Sequence, residues 1–354
     1  MYIRAASHNI ALGALHGIPE KTNKTEGEIT LKRVLAMILS TLMLLALCAC
    51  GGTTTTDDGA ATGGDAASGT DAAKSYSVAI CQLMVHDALD AATKGFTDAL
   101  SEAVKAAGAT VEFDTQVAGE ANLCTTVVGA QLAKKPDLVM ANATPALLAA
   151  ANGTTDIPVL GTSVTDYADT FAGSIPANVS GTSDAVPFDE QAQMMIDTLG
   201  LVAGDVVGVL YCTNESNSLI QYEAVKALFE AQGIVVEAYT FSETTELQAV
   251  TTSMAANCKA VYVPSDNTVA SNDAIVGTIC TEQNVPVYTS YGGTICYASL
   301  AIDYYELGVK TGEMAAQILL EGKAPADIEV ATLTPTVSYN AELCTQLGIE
   351  VPAN

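Results

Sequence analysis

Val206-Val207-Gly208-Val209-Leu210-Tyr211 is a β-branched, apolar run that breaks off at Thr213-Asn214-Glu215-Ser216. A helical pattern follows over 216–232, then a strand pattern at 234–239, a helix over 245–256, a strand at 260–263, a helix over 268–282 and a strand at 285–289. Apolar runs this short, separated by helices this long, imply βαβ units and a parallel sheet. The same alternation stands upstream. Strand patterns lie at 77–82, 110–114, 137–141 and 157–160, with helices over 121–133 and 145–151. Leu89, Ala92, Phe96, Leu100 and Val104 recur at helical spacing before Gly108, and a further helix runs from about Phe188 to Leu199. Two consecutive series predict two doubly wound α/β lobes with parallel sheets. Downstream the order changes. A strand at 298–302 enters Asp303-Tyr304-Tyr305, and a helix carries Leu307, Thr311, Met314, Ala315 and Ile318 on one face as far as about Leu320. A last strand near 329–337 precedes a short helix that ends at Gly348.

The chain has 354 residues, 40 acidic against 14 basic, and a net charge of −26. Its only arginines are Arg4 and Arg33; from residue 50 onward there are nine lysines, one histidine (His86) and 37 acidic residues. Phosphate binding rests on clustered Lys and Arg, so nucleic acid is excluded as a partner. Trp is absent and there are three histidines in all, so no cofactor or metal is expected. Lys32-Arg33 precede an apolar run over 34–47, interrupted only by Ser40 and Thr41. As a helix it would rise about 21 Å, short of a bilayer core of roughly 30 Å, so it reads as a secretory signal. Residues 1–30 are unlike an ordinary n-region, which puts the expected translation start near Leu31. The signal ends Leu47-Cys48-Ala49-Cys50-Gly51, which resembles a bacterial lipobox with Cys50 lipidated. Residues 51–73 contain only Gly, Thr, Asp, Ala and Ser; such a coil reaches roughly 25–30 Å and tethers the α/β lobes to the outer membrane face. The seven later cysteines show no metal-site or C-x-x-C spacing and read mostly as buried small apolar residues, with one or two bridges as the alternative.

In open α/β sheets, ligands bind beyond the carboxyl ends of the strands. Those ends read Gln82-Leu83-Met84-Val85-His86-Asp87-Ala88, Asn142-Ala143-Thr144-Pro145, Thr162 after the 157–160 run, Glu215-Ser216-Asn217-Ser218, Ser265-Asp266-Asn267-Thr268 and Ser290-Tyr291-Gly292-Gly293. Thr144 reads as an N-cap with Pro145 as the first helical residue. Together these loops predict a small-molecule cleft lined by hydroxyls, amides, aromatics and a few carboxylates. Catalysis finds little support: there is no G-x-S-x-G or Walker A sequence, and any triad would depend on His86.

Gln82-Leu83-x-x-His86-Asp87-Ala88-Leu89-Asp90, Asn142-Ala143-Thr144-Pro145-Ala146, Gly181-Thr182-Ser183-Asp184-Ala185-Val186-Pro187, Asn214-Glu215-Ser216-Asn217-Ser218, Pro264-Ser265-Asp266-Asn267-Thr268 and Asp303-Tyr304-Tyr305-x-x-Gly308 closely resemble the ABC-transporter substrate-binding lipoproteins of the tryptophan/tyrosine-binding type. The resemblance runs from about residue 76 to Pro352; Asp87 and Tyr291-Gly292-Gly293 depart from the common pattern. It implies a type I periplasmic-binding-protein fold with lobes joined by a three-segment hinge near 179–188, 301–304 and 333–339. The boundaries it implies are 1–49 for the upstream segment and signal, 50–75 for the lipidated Cys and linker, 76–184 plus 304–333 for one lobe, and 185–303 plus 334–354 for the other. The implied partners are a small-molecule ligand, an ABC permease with its ATPase, and the membrane through Cys50. With no arginine available, a ligand carboxylate would rest on the helix N-terminus at Thr144 or on the Asn217–Ser218 turn. A ligand ammonium would meet Glu215, Asp266 or Asp303, with Tyr291 against the side chain. His86 either donates to the ligand or orients its loop, and Asp184 is expected to fix hinge geometry. The expected ligand is an amino acid, aromatic by the resemblance; a sugar or nucleoside receptor, or a sensory binding protein, is the alternative.

Overall fold

The computed structural model describes residues 74–352. The signal, Cys50 and nearly all of the tether lie outside the described residues. The first series comprises β1 (Ser75–Gln82), α1 (Asp87–Ala106), β2 (Thr110–Val117), α2 (Cys124–Leu132), β3 (Leu138–Asn142), α3 (Thr144–Gly153), β4 (Val159–Val164), α4 (Tyr167–Thr170) and β5 (Val179–Ser183). The second comprises α5 (Phe188–Leu199), β6 (Val206–Cys212), α6 (Ser216–Ala231), β7 (Val235–Phe241), α7 (Thr244–Asn257), β8 (Ala260–Val263), α8 (Asn267–Ala270), α9 (Asp273–Glu282), β9 (Val287–Thr289) and β10 (Ala298–Ala301). The chain closes with α10 (Tyr304–Glu321), β11 (Ala331–Thr332), β12 (Thr336–Tyr339) and α11 (Ala341–Leu347).

These strands form two six-stranded sheets, in the orders β11-β5-β4-β3-β1-β2 and β12-β10-β9-β8-β6-β7. All pairings are parallel except β10 with β12. Helices cover both faces of a parallel sheet, so its inner strands are apolar throughout; every residue of β3, β4, β5 and β8 is buried. In each sheet the first strand of its series, β1 or β6, lies inside the order, with the next strand on one side and the third on the other. Successive connections there diverge to opposite faces and leave a crevice at the carboxyl edge. The loops after β1 and β3, and after β6 and β8, stand at these two crevices. The chain passes between sheets three times, at 184–187, 302–303 and 333–335.

Three local expectations change. The strand expected near 329–337 is two strands on different sheets, β11 and β12, because the chain crosses between them. The helix expected over 268–282 breaks at Ser271-Asn272, where both side chains bond to backbone: Ser271 Oγ donates to Val85 O (3.3 Å) and Asn272 Nδ2 to Thr268 O (2.8 Å). Thr144 is not an N-cap. Ala143 takes that place at φ 92°, because its amide is held by Thr162 O at 3.0 Å and the chain must turn from β3 into α3 within one residue.

Helix α10 follows the second series in sequence but packs on the first sheet, against α1. The contact is backbone on backbone. A Cβ at Gly95 would lie 2.1 Å from Tyr305 O, one at Gly308 2.0 Å from Ala92 O, and one at Gly312 2.7 Å from Phe96 O. Gly308 and Gly312 are four apart and share one helical face. Met314, Ala315 and Ile318 then join Phe96, Leu100 and Ile80 in one apolar cluster. Gly308→Ala should therefore destabilise by about 1–3 kcal/mol and lower Tm by roughly 2–12 °C. Gly129→Ala, in α2 with nothing within 4 Å, is the opposite case and should stabilise by about 0.5–1 kcal/mol. Thermal melts of the two variants check both signs.

Candidate ligand site

Four loops meet where the carboxyl edges of the two sheets face each other. Direct hydrogen bonds join them across the crevice. His86 Nε2 pairs with Asn267 Oδ1 at 3.2 Å, Gln221 Nε2 donates to Thr165 Oγ1 at 3.2 Å, and Ser271 Oγ reaches Val85 O. In each case one partner follows a strand of the first sheet and the other a strand of the second. Gln221 is fully engaged, since its Oε1 also accepts from Ser265 N (3.0 Å) and Ser290 Oγ (2.9 Å).

Behind these bonds lies a narrow cavity lined by His86, Leu89, Ser163, Asp184, Ser265, Asp266, Asn267, Ala270, Tyr291 and Tyr304, with a volume of ≈ 10 Å³, about one water. A chamber of ≈ 460 Å³ adjoins it and shares His86, Ala270, Tyr291 and Tyr304. Asp87, Asp90 and Asp273 stand on the chamber wall, and no lysine lines either space. Burial pushes the His86 imidazole pKa down, against the raising effects of Asn267 and Glu215.

The expected site residues divide by what already holds them. Glu215, 1% exposed, accepts from Asn267 N (2.9 Å), Asn267 Nδ2 (2.6 Å), Thr268 N (2.8 Å) and Thr268 Oγ1 (2.7 Å). Asp266 accepts from Cys212 N (2.7 Å), Ser218 Oγ (2.8 Å) and Val269 N (2.9 Å). Burial, and then Glu215 beside it, push the Asp266 carboxyl well above the usual range. Both carboxylates are thus consumed in fixing α8. Asp303 is exposed and caps α10 through Tyr305 N (2.9 Å) and Glu306 N (3.1 Å); it lines neither space. Gln82 braces the β1–α1 loop, donating to Met84 O (2.7 Å) and Asp90 Oδ1 (2.5 Å) and accepting from Thr93 Oγ1 (2.6 Å). Thr162 Oγ1 bonds Thr182 Oγ1 (3.1 Å), which bonds Thr311 Oγ1 (2.8 Å), an interior chain. Asn217 Nδ2 holds Ser265 O at 2.7 Å, and Ser290 Oγ holds Gln221. Thr144 opens α3 with Pro145 next; no side chain caps that end, and the Thr144 hydroxyl has no partner. His86, Asp266, Asn267 and Tyr291 line the cavity.

Two lining residues were not legible as such. Ser163 lies where three residues of β4 advance against two of β5. This bulge holds Ser163 at φ 56° and puts it on the cavity wall, a strained placement typical of binding sites. Its hydroxyl is buried without a partner. Asp184 accepts at Oδ2 from Tyr304 OH (2.9 Å), whereas its Oδ1 accepts no hydrogen bond. Burial pushes its carboxyl pKa up, against the lowering effect of the Tyr304 and Thr165 hydroxyls.

Comparison with known proteins decides the family. Residues 77–354 match the model of the ABC transporter substrate binding protein family. The chain belongs to it. It carries the type I periplasmic-binding-protein fold, and proteins of this kind serve ABC importers outside the cytoplasm. It is 35% identical over 277 residues to a tyrosine-binding protein of Clostridioides difficile (strain R20291), covering 75% of this chain and 79% of that one. A Streptococcus pneumonia ABC domain solved in complex with L-Trp matches at 31% identity and a TM-score of 0.73, over 79% of this chain and 96% of that one. A ligand-free, open substrate-binding protein with adhesive properties from Clostridium difficile matches at 32% identity over 79% of this chain and 97% of that one, with a TM-score of 0.58. Gln221→Ala, which removes one bond across the crevice and leaves two donors without their acceptor, should shift the lobes toward the open form about tenfold. Solution scattering should show a larger radius of gyration for the ligand-free variant than for the parent.

Proposed function

We propose that this substrate-binding protein captures an amino acid, aromatic in its side chain, between its two lobes and passes it to an ABC permease with its ATPase. The observation that carries this reading is the paired space at the crevice: a water-sized polar cavity with unpartnered oxygens opening beside a chamber of ≈ 460 Å³ walled in part by Tyr291 and Tyr304. Small-molecule sites have this form, apolar or aromatic walls with a few convergent polar groups. The names of the relatives, a tyrosine-binding protein and an L-Trp complex, point the same way. The lobes would comprise 76–184 plus 304–333 and 185–303 plus 334–354, hinged at the three crossings. The role is binding without catalysis: His86 is the single histidine from residue 50 onward, and it is engaged with Asn267.

A thermal-shift panel tests the reading. L-tyrosine or L-tryptophan at 100 times its Kd should stabilise the purified full chain by about 2.7 kcal/mol, a Tm rise of roughly 5–10 °C. Sugars and nucleosides should leave Tm unchanged, and silence to every amino acid with a response to either of those would overturn it. The anchor is tested separately. In a bacterial host, the parent should incorporate labelled fatty acid and sediment with membranes, and Cys50→Ala should lose both; labelling that persists in Cys50→Ala places the lipid elsewhere.

A further inference from the structure

The narrow cavity has a specific polarity. Three oxygens on its wall are buried without a hydrogen-bond partner: Asp184 Oδ1, Ser163 Oγ and the Tyr291 hydroxyl. Asp184 is 6% exposed and Ser163 7%. Leaving such groups unpaired is destabilising, most of all for a charge, and Ser163 adds a strained backbone. The free space is that of one water, so it admits a small head group and not a ring. An ammonium carries three donors and no acceptor. The neighbouring buried carboxylates Glu215 and Asp266 are already supplied by amides and hydroxyls, and Asp87, Asp90 and Asp273 line the chamber and not the cavity, which leaves Asp184 as the carboxylate on the cavity wall with an open oxygen.

We propose that the ligand's primary ammonium seats in this cavity against Asp184 Oδ1, with Ser163 Oγ and the Tyr291 hydroxyl accepting its other two N–H bonds and Tyr304 holding the carboxylate from behind. This rests on the amino-acid reading above and narrows it: the amine is the group the protein demands, so the ligand class is a primary amine carrying a body that fits the adjoining chamber. Asp184 is then a binding residue, not only a hinge residue, and Glu215, Asp266 and Asp303 are not the ammonium's partners.

Calorimetry of the full chain and of Asp184→Asn with three probes tests this: L-tyrosine, tyramine, which lacks the carboxylate, and 3-(4-hydroxyphenyl)propionate, which lacks the amine. The parent should bind L-tyrosine and tyramine and bind the propionate at least about 100-fold more weakly than L-tyrosine. Asp184→Asn should lose at least about 100-fold for both amines, bringing L-tyrosine down to the level of the propionate. L-tyrosine affinity within threefold of the parent, or an equal loss for all three probes, overturns the assignment while leaving the amino-acid reading standing. If the parent responds to none of the twenty amino acids, the reading itself fails. Should Asp184→Asn not fold, the crystal structure of the parent with L-tyrosine decides: the ammonium nitrogen within hydrogen-bond reach of Asp184 Oδ1 supports the proposal, and its placement anywhere else, on Glu215, Asp266, Asp303 or the chamber-wall Asp87, Asp90 and Asp273 included, refutes it.

Discussion

Three carboxylates, Asp184, Glu215 and Asp266, are buried where the two sheets face each other, in a chain with no arginine after Arg33. Burying a charge is costly unless it is paired or well hydrogen-bonded, and the ion pairs among the described residues all lie at the surface and include none of the three. Compensation must therefore come from N–H and O–H donors. Glu215 takes five, the longest from Asn217 Nδ2, and Asp266 three, and both sets come from the second sheet's crevice, where helices start. That requirement sets how the loops after β6 and β8 must fold, and with them the rigidity of the second lobe's half of the site. Asp184 accepts at Oδ2 from Tyr304 and is further eased by the nearby Thr165 hydroxyl, but its Oδ1 has no partner, so compensation is incomplete there.

The first lobe's half is shaped differently, by backbone strain. Ala143 at φ 92°, just past the end of β3, and Ser163 at φ 56°, within the neighbouring β4, are linked through the Ala143 amide on Thr162 O. Non-glycine residues in such conformations persist only where the surrounding structure over-determines them. Here the fully buried strands β3 and β4 do so. The helix that packs on α1 of this lobe, α10, arrives from beyond the second series and is held there by glycine-mediated backbone contact. Its first residue, Tyr304, is also the donor to Asp184. One helix thus couples the packing of the first lobe to the electrostatics of the cavity.

Closure of the lobes uses few bonds. His86 with Asn267, Gln221 with Thr165 and Ser271 with Val85 are each worth about 1 kcal/mol net, so the closed arrangement is within reach of a ligand's differential affinity. His86 and Asn267 sit on the cavity wall as well as across the crevice, so closure and the cavity wall involve the same side chains. His86 therefore orients its loop across the gap and lines the cavity at once.

Composition and periodicity by themselves determined the α/β class, the two series, the carboxyl-edge loops and the absence of a guanidinium, because these depend on local spacing and residue type. Asp303, expected against the ligand's ammonium, is instead the cap of α10. Which carboxylate is free could not be read in place. Asp266, Asp303 and Asp184 are all short acidic side chains beside helix starts, and the donors that satisfy Asp266 come in part from Cys212 and Ser218, some fifty residues away along the chain and adjacent only through the β6–β8 pairing. Ser163 reaches the cavity through a register shift between β4 and β5, a property of two strands together that neither sequence carries alone. The sequence determined which groups stand at the sheet edges; only the tertiary structure decided which of them are already spent on each other, because hydrogen-bond satisfaction is settled by neighbours in space.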